Sequence, residues 1–403
     1  MKRNLRSMQR QRVRRFQSTM VFLSLMVLIR TAVPVEGFAE GELENPQALL
    51  AILLDSSKPG WERRQTFEAV HKLPAEEKEK VFLGVISSEE EGMAVEGAVL
   101  AIHTGVHTEN VVRRIRERFR HWKVASRSHV IQRVVDVGSP EPLMPILLDG
   151  LRLAERDTGT GGESELITAA INSGAFALAK SSNPEDAELL RSLIRAHPEA
   201  HIGWLVLRKM KAVDTDLRAL AQTVYSNQQF GLLARVAAAA AVQDVDEAAA
   251  QTALSLARQY LEQFCQATAG EYFPPDHENR AAIVRAMQMS DNMPVVILLH
   301  FFDGVPGRDL VMEYLACRNE LIRELIRIVA AKSWPTELVN RLEELPVIER
   351  VTAFAWIRHF DPTVRFPDEM GVSEEALETA EKGVAKEAAR KSLDHRFRVI
   401  FID

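Results

Sequence analysis

From Glu40 onward, apolar residues return at intervals of three and four, as in Val112, Ile115, Phe119 and Trp122. That period belongs to helices with one buried face. Alternation at a period of two, the mark of a strand, is nearly missing. Prolines stand where such helices would begin: Asn45-Pro46, Leu73-Pro74, Ser139-Pro140, Asn183-Pro184, His197-Pro198 and Ser333-Trp334-Pro335. Proline tolerates the first helical turn because its missing N–H would have no partner there, and a preceding Asn or Ser can cap. The pattern predicts an all-α chain of about twenty short helices, with connections short enough to set neighbours antiparallel.

So many short helices imply an internal repeat. One pattern recurs: an anchor, often arginine, followed by apolar or small residues three, four, six and seven positions on. It reads Arg63-Thr66-Phe67-Ala69-Val70, Val95-Ala98-Val99-Ala101-Ile102, Arg127-Val130-Ile131-Arg133-Val134 and, more weakly, Ile167-Ala170-Ile171-Ser173-Gly174. His201-Trp204-Leu205-Leu207-Arg208 and Arg235-Ala238-Ala239-Ala241-Val242 come next. Arg280-Ile283-Val284-Ala286-Met287, Arg318-Leu321-Ile322-Glu324-Leu325 and Arg350-Ala353-Phe354-Trp356-Ile357 complete the series. Anchors lie 32 to 45 residues apart. The two longest intervals hold the two evident loops, Gly-rich Asp157–Glu163 and Ala267–Asp276, where insertions in a repeat array belong.

These residues resemble HEAT-like repeats of the armadillo type. The best match is Leu232–Ala249, where an arginine, an alanine-rich second helix and a turn aspartate, Asp244, stand in the family's order. Asp136, Asp214, Asp291 and Asp361 follow other copies at similar offsets. Three of the nine anchors are not arginine, and the fourth copy is degenerate. The resemblance implies a right-handed α-solenoid of about nine HEAT-like helix pairs, whose alanines let helices approach closely. A further expectation is that several anchor arginines reach turn aspartates, such as Arg235 with Asp244 or an aspartate of an adjacent repeat. Ser373–Leu393 reads as a further helix suited to capping the array. The apolar, strand-like Phe397–Ile402 reads as a tail tucked into the last groove.

Residues 1–39 depart from the rest. Seven basic groups in the first 19 residues precede the apolar run Met20–Ile29, and Gly37-Phe38-Ala39 places small residues where a signal peptidase reads. Basic, apolar, small is the order of a secretory signal, and the run is about half of the ~20 residues a spanning helix requires. The expected organisation is a signal peptide over 1–39, the solenoid over 40–361, and a capping helix with its tail over 362–403. The expected location is periplasmic or extracellular, with no integral membrane domain once the signal is removed. The segment carries eight Lys/Arg and one acid, so its loss takes the net charge from −6 to −13. An acidic body of that size repels nucleic acid and argues against it as a partner.

Candidate chemistry is sparse. His103/His107 and His197/His201 have the i,i+4 spacing that can bring two imidazoles to one helix face, but Gly105 and Pro198 break the pairs, so structural roles are expected and no metal. Asp276-His277-Glu278 is ligand-rich, with Asp276 well placed as an N-cap. The Thr158–Ser164 loop lacks the lysine of a phosphate-binding loop. No G-x-S-x-G occurs. Cys265 and Cys317 sit in apolar helical surroundings, where buried free thiols are the default. No cofactor is expected.

The strongest local feature is cationic: Arg113, Arg114, Arg116, Arg118, Arg120, Lys123 and Arg127 against the single acid Glu117. Two readings apply. Either these residues bind an anion (an acidic protein, a polyanion or a phospholipid surface), or they are a solvated face or pair with Glu89, Glu90 and Glu91. For the whole chain, the expected function is that of an exported, non-catalytic scaffold or adaptor holding another protein. The alternative is an all-helical envelope enzyme acting on polysaccharide or peptidoglycan, which would need two convergent carboxylates.

Overall fold

The computed structural model describes residues 45–55, 57–157, 162–179, 183–266, 305–317, 320–365 and 372–393. These are helical, with no strand among the described residues. The α-helices are α1 (Pro46–Leu54), α2 (Gly60–Val70), α3 (Ala75–Ile86), α4 (Glu91–His103), α5 (Glu109–Phe119), α6 (Val124–Asp136), α7 (Met144–Ala154), α8 (Gly162–Leu178) and α9 (Pro184–Ala196). They continue as α10 (His201–Lys209), α11 (Thr215–Ser226), α12 (Leu232–Val242), α13 (Glu247–Gln266), α14 (Val305–Glu313), α15 (Glu320–Ser333), α16 (Pro335–Asn340), α17 (Val347–Phe360) and α18 (Glu374–Leu393). The proposed signal, the Arg280 repeat copy, Asp276-His277-Glu278, Asp291, Arg318 and the Phe397–Ile402 tail lie outside the described residues.

Short polar side chains start these helices. Asn45, Asn183 and Asp214 accept backbone N–H bonds from Gln47, Glu185 and Leu217 at 2.9–3.1 Å. Thr108 accepts from Val111 and Asp246 from Ala249. Each bond satisfies an N–H that the helix itself cannot. Prolines 46, 184 and 335 occupy the first helical turn.

Helix ends repeat as well. α4, α6 and α10 each run into a left-handed residue: Gly105 (φ 77), Gly138 and Ser139 (φ 87 and 50), and Lys211 (φ 53). In each turn a reversed pair of backbone bonds closes the helix, as with Val106 N–H to Ala101 O and Ala212 N–H to Leu207 O. This is the Schellman arrangement, which satisfies carbonyls left over at a helix C-terminus.

Packing follows an alternating rule. Even-numbered helices touch the next even-numbered helix, from α4 through α6, α8 and α10 to α12. Odd-numbered helices touch the next odd-numbered one, from α1 through α3, α5, α7 and α9 to α11. Successive helices also pack within pairs, as α3 with α4 and α11 with α12. The described copies of the anchor motif fall on α2, α4, α6, α8, α10 and α12, then on α15 and α17, which touch each other. Their apolar positions are buried: Val130, Ile131 and Val134 on α6; Trp204, Leu205 and Leu207 on α10; Ala353, Phe354, Trp356 and Ile357 on α17. On α12, every alanine from Ala237 to Ala240 is at most 1% exposed. Close approach is enforced by small residues at the crossings. A Cβ on Gly203 would stand 2.4 Å from Ile194 Cδ1, and one on Gly150 would stand 2.7 Å from Ile131 Cδ1 and 3.0 Å from Phe119 Cζ. α18 lies on α17, burying Val384 and Ala388, with Arg358 and Glu381 paired at 2.9 Å.

The anchor arginines meet the expectation only in part: Arg127 pairs with Asp157, one repeat length on, but the others turn to carbonyls. Arg235 does not reach Asp244; its Nε donates to Tyr225 O at 3.1 Å. Arg127 donates to Trp122 O at 2.7 Å, and Arg350 to Leu345 O at 2.8 Å and Glu343 O at 3.0 Å. In all three the guanidinium turns back onto carbonyls that close the preceding helix or turn, where a cation also meets the negative end of the helix dipole. Asp244 instead receives Arg208, the last motif position of the preceding copy, at 3.1 Å. Bonds between copies keep the repeat length. Arg116–Asp149, Lys123–Glu91, Ser126–Glu91, Arg127–Asp157, Thr168–Glu199, Asn172–Ile202 and Arg208–Asp244 join residues 30 to 36 positions apart.

Candidate functional site

The cationic stripe is built on α5 and the turn into α6. Val111, Val112, Ile115 and Phe119 face the core, with Trp122 closing the turn against Phe119 at 5.8 Å between ring centroids. The charged residues must therefore take the remaining surface. The structure divides them into two sets.

Three are tied into the fold. Arg127, 12% exposed, is bonded to Trp122 O and to Asp157. Arg118 donates to Ser88 O in the turn before α4, while its buried Nε has no partner. Lys123 gives its backbone N–H, not its ammonium, to Glu91 at 2.9 Å. Glu91 also accepts from Ser126 Oγ at 2.6 Å, and that bond, assisted by Lys123, holds its carboxyl below the usual range. Of the three glutamates expected to pair with the stripe, Glu91 alone does so.

The other set faces solvent. Arg114 forms a loose pair with Glu117 at 3.2 Å, both about half exposed. Arg113, Arg116 and Arg120 lie at i, i+3 and i+7, and Arg120 keeps helical dihedrals as the C-cap. At 100° and 1.5 Å per residue they form one ridge roughly 60° wide and about 10 Å long. Arg113 donates to Asn110 Oδ1 at 2.9 Å, and Asn110 donates in turn to Glu79 Oε1 at 3.0 Å. Arg116 Nε donates to Asp149 on α7 at 2.8 Å, yet the arginine side chain remains 43% exposed. Arg120 is exposed and makes no ion pair with a described residue. The exposed Lys123 side chain continues the positive charge into the turn.

A groove of about 510 Å³ opens at the N-terminal end of the same helix. It is lined by Glu76, Lys78 and Glu79 of α3 and by Thr104–Thr108, including His107. Neither this groove nor Asp149 was found by sequence reasoning. Asp149 had a signal, because it lies 33 residues beyond Arg116, one repeat length. The groove had none, since it depends on how the α4–α5 turn sits over the start of α3.

The histidine pairs separate as their helix breakers require. His103 ends α4 and is exposed, whereas His107 Nε2 pairs with Ile102 O at 2.8 Å. His197 closes α9 with its ring buried, Nε2 at 2.9 Å from Ala154 O and Nδ1 at 3.8 Å from Glu199. The Glu199 carboxylate raises the His197 pKa, against the effect of burial. His201 begins α10, and burial of its ring lowers its pKa to about 4. No group of three His, Cys, Asp or Glu able to hold a metal ion occurs among the described residues. Cys317 is not a free thiol; it is buried and disulfide-bonded, and the chain's other cysteine is Cys265. Arg323 and Arg327 clasp Glu349 at 3.1 and 2.6 Å and donate to Cys317 O and Leu315 O, fixing the turn that carries Cys317.

The chain is thus an all-α protein with a basic, solvent-facing ridge on one helix. No helix among the described residues is long and apolar enough to cross a membrane. No family model, no curated protein and no solved structure matches the chain.

Proposed function

We propose that the chain is an exported, non-catalytic scaffold that holds another protein on the surface of a right-handed α-solenoid of HEAT-like helix pairs. The observation that carries this reading is the alternation of contacts: every second helix from α4 to α12 bears the repeat motif and packs on the next one that bears it. One helix pair cannot bury its apolar stripe alone, so stacked pairs share a core and leave an extended surface for a partner. The capping position of α18 on α17 and the bonds of repeat length support the same architecture. For export, the support is the basic, apolar, small-residue order of residues 1–39, together with a disulfide at Cys317, a bond that persists in oxidising compartments.

Two measurements test the reading. N-terminal sequencing of the native protein should give a start near Glu40; a chain in the cytoplasm that retains residues 1–39 refutes export. Photo-crosslinkers placed singly on exposed positions of α3, α5, α7, α9 and α11 should capture one protein from living cells. Capture at none of them, together with release of sugar or muropeptide from cell-wall polymer by the purified chain, would overturn the scaffold in favour of an enzyme.

A further inference from the structure

We propose that Arg113, Arg116 and Arg120 form the docking ridge for a carboxylate-rich polypeptide segment of the bound protein; the proposal rests on the scaffold reading and adds the place and the chemistry of contact. The argument starts with what the fold leaves over. Of the seven cations in the stripe, Arg127 and Arg118 are bonded to the fold, Lys123 sits in the turn beyond α5 with its backbone N–H on Glu91, and Arg114 is offset beside Glu117. The three that remain share the outer face of α5. Each retains donor groups. Arg116 donates to Asp149 through Nε, and its side chain stays 43% exposed. Arg113 uses one terminal nitrogen on Asn110, and Arg120 uses none.

All three are arginines, whose planar forks match carboxylates bidentately and lose less freedom per bond than lysines do. Tethers from Asp149 to Arg116 and from Asn110 to Arg113 hold two of the forks in place before a ligand arrives, which lowers the ordering cost of binding.

The surroundings select a narrow occupant. The α5 ridge lies between α3 and α7, which both pack against it. α3 presents Glu76, Glu77 and Glu79, and α7 presents Asp149. A flat anionic membrane resting on α5 would also meet α3 and α7, where Lys78, Lys80 and Arg152 offset all but one of the acids, so it gains no net attraction there. A single chain segment laid along α5 meets three arginines against two acids of the same helix, Glu109 and Glu117, and an uncharged side chain of it can enter the groove lined by Thr104–Thr108, Glu76 and Glu79 at the α5 N-terminal end. The ridge is about 10 Å long, which spans two turns of an acidic helix or three to four residues of an extended chain. In a body of net −13, this is where an acidic segment is drawn rather than repelled.

The test is fluorescence anisotropy with the full chain and a fluorescein-labelled peptide of ten glutamates, at 20 and 200 mM salt. Arg113→Glu/Arg120→Glu leaves the Arg116–Asp149 pair intact and should weaken binding about tenfold or more with unchanged helicity. Lys209→Glu/Arg218→Glu makes the same change of net charge on exposed positions of α10 and α11 and should leave affinity within about twofold. Salt should weaken the wild-type complex, since the field is screened over ~8–10 Å. The proposal is overturned if the wild type does not bind the peptide, if both double variants lose equally, or if phosphatidylglycerol vesicles bind better than the peptide and depend on the same arginines. The two readings fail separately. A crosslinked partner retained in cells by Arg113→Glu/Arg120→Glu removes the ridge and keeps the scaffold, whereas capture of no protein at any exposed position removes the scaffold itself.

Discussion

Replacing Arg127 with methionine separates an arginine held by the fold from the exposed arginines of the same stripe. Methionine keeps most of the stem volume and removes the guanidinium. The loss strands Trp122 O, which accepts from Arg127 at 2.7 Å, and the Asp157 carboxylate. A hydrogen bond from a charged group contributes about 1.5–3 kcal/mol, and breaking a fully buried pair costs about 3–5 kcal/mol. Asp157 remains 24% exposed and regains some water, so the cost is reduced to about 2–3 kcal/mol. Urea unfolding followed by circular dichroism measures it. Hydrogen exchange should place the earliest opening at the α5–α6 turn. A cycle with Asp157→Asn should show a coupling of about 1–2 kcal/mol. Arg120→Met, a change at an exposed residue of the same stripe, should stay within about 0.5 kcal/mol of the parent. If Arg127→Met matches Arg120→Met, or if the coupling to Asp157 is zero, the assignment of Arg127 to the fold is wrong.

Three further outcomes are expected. Lys211→Gly relieves a left-handed backbone at φ 53 and should stabilise the chain by about 1 kcal/mol in thermal unfolding, while Lys211→Val should destabilise it. The two histidines of the α9–α10 turn act in opposite senses: His197, with its pKa raised, lends stability that is complete below pH ~6.5 and lost as pH rises through its folded value, whereas His201, depressed to about 4, withdraws stability as pH falls from ~6.5 toward 4. His197→Gln should flatten the alkaline side of the stability profile and His201→Gln the acid side, with the wrong limb flattening in either variant counting against the assignment. Reducing the disulfide at Cys317 should lower stability by about 2–4 kcal/mol; a melting temperature that ignores dithiothreitol would contradict this.

The helical class and the buried positions along single helices were legible because both are carried by local periodicity. Val95–Ile102 and Arg235–Val242 display their buried positions at three, four, six and seven, and α4 and α12 bury those residues. What each anchor arginine bonds was not legible. A turn aspartate is visible as a letter, but the carbonyl that Arg235 caps belongs to Tyr225, and any residue supplies a carbonyl. The stripe was visible as a run of charge, whereas its division was hidden. Arg116 and Arg118 are two residues apart and look alike, yet 200° of helical rotation sends one to Asp149 and the other to Ser88 O. Nor could spacing alone forecast that Cys317 is oxidised, since 52 residues separate it from Cys265 and turns set the distance between them.

Bonds such as Arg116–Asp149 and Arg208–Asp244, which reach 30 to 36 residues along the chain, have a consequence during synthesis. Contacts at short sequence separation close small loops, so little entropy is lost before they form and folding is fast. A helix emerging from the ribosome meets its partner in the same row after one more repeat has been made, within a few seconds at about 5–20 residues per second. The expected course is that each new helix is laid on one already packed, so substitutions that slow folding should be confined to the helices that pack first, with later ones inheriting a finished surface.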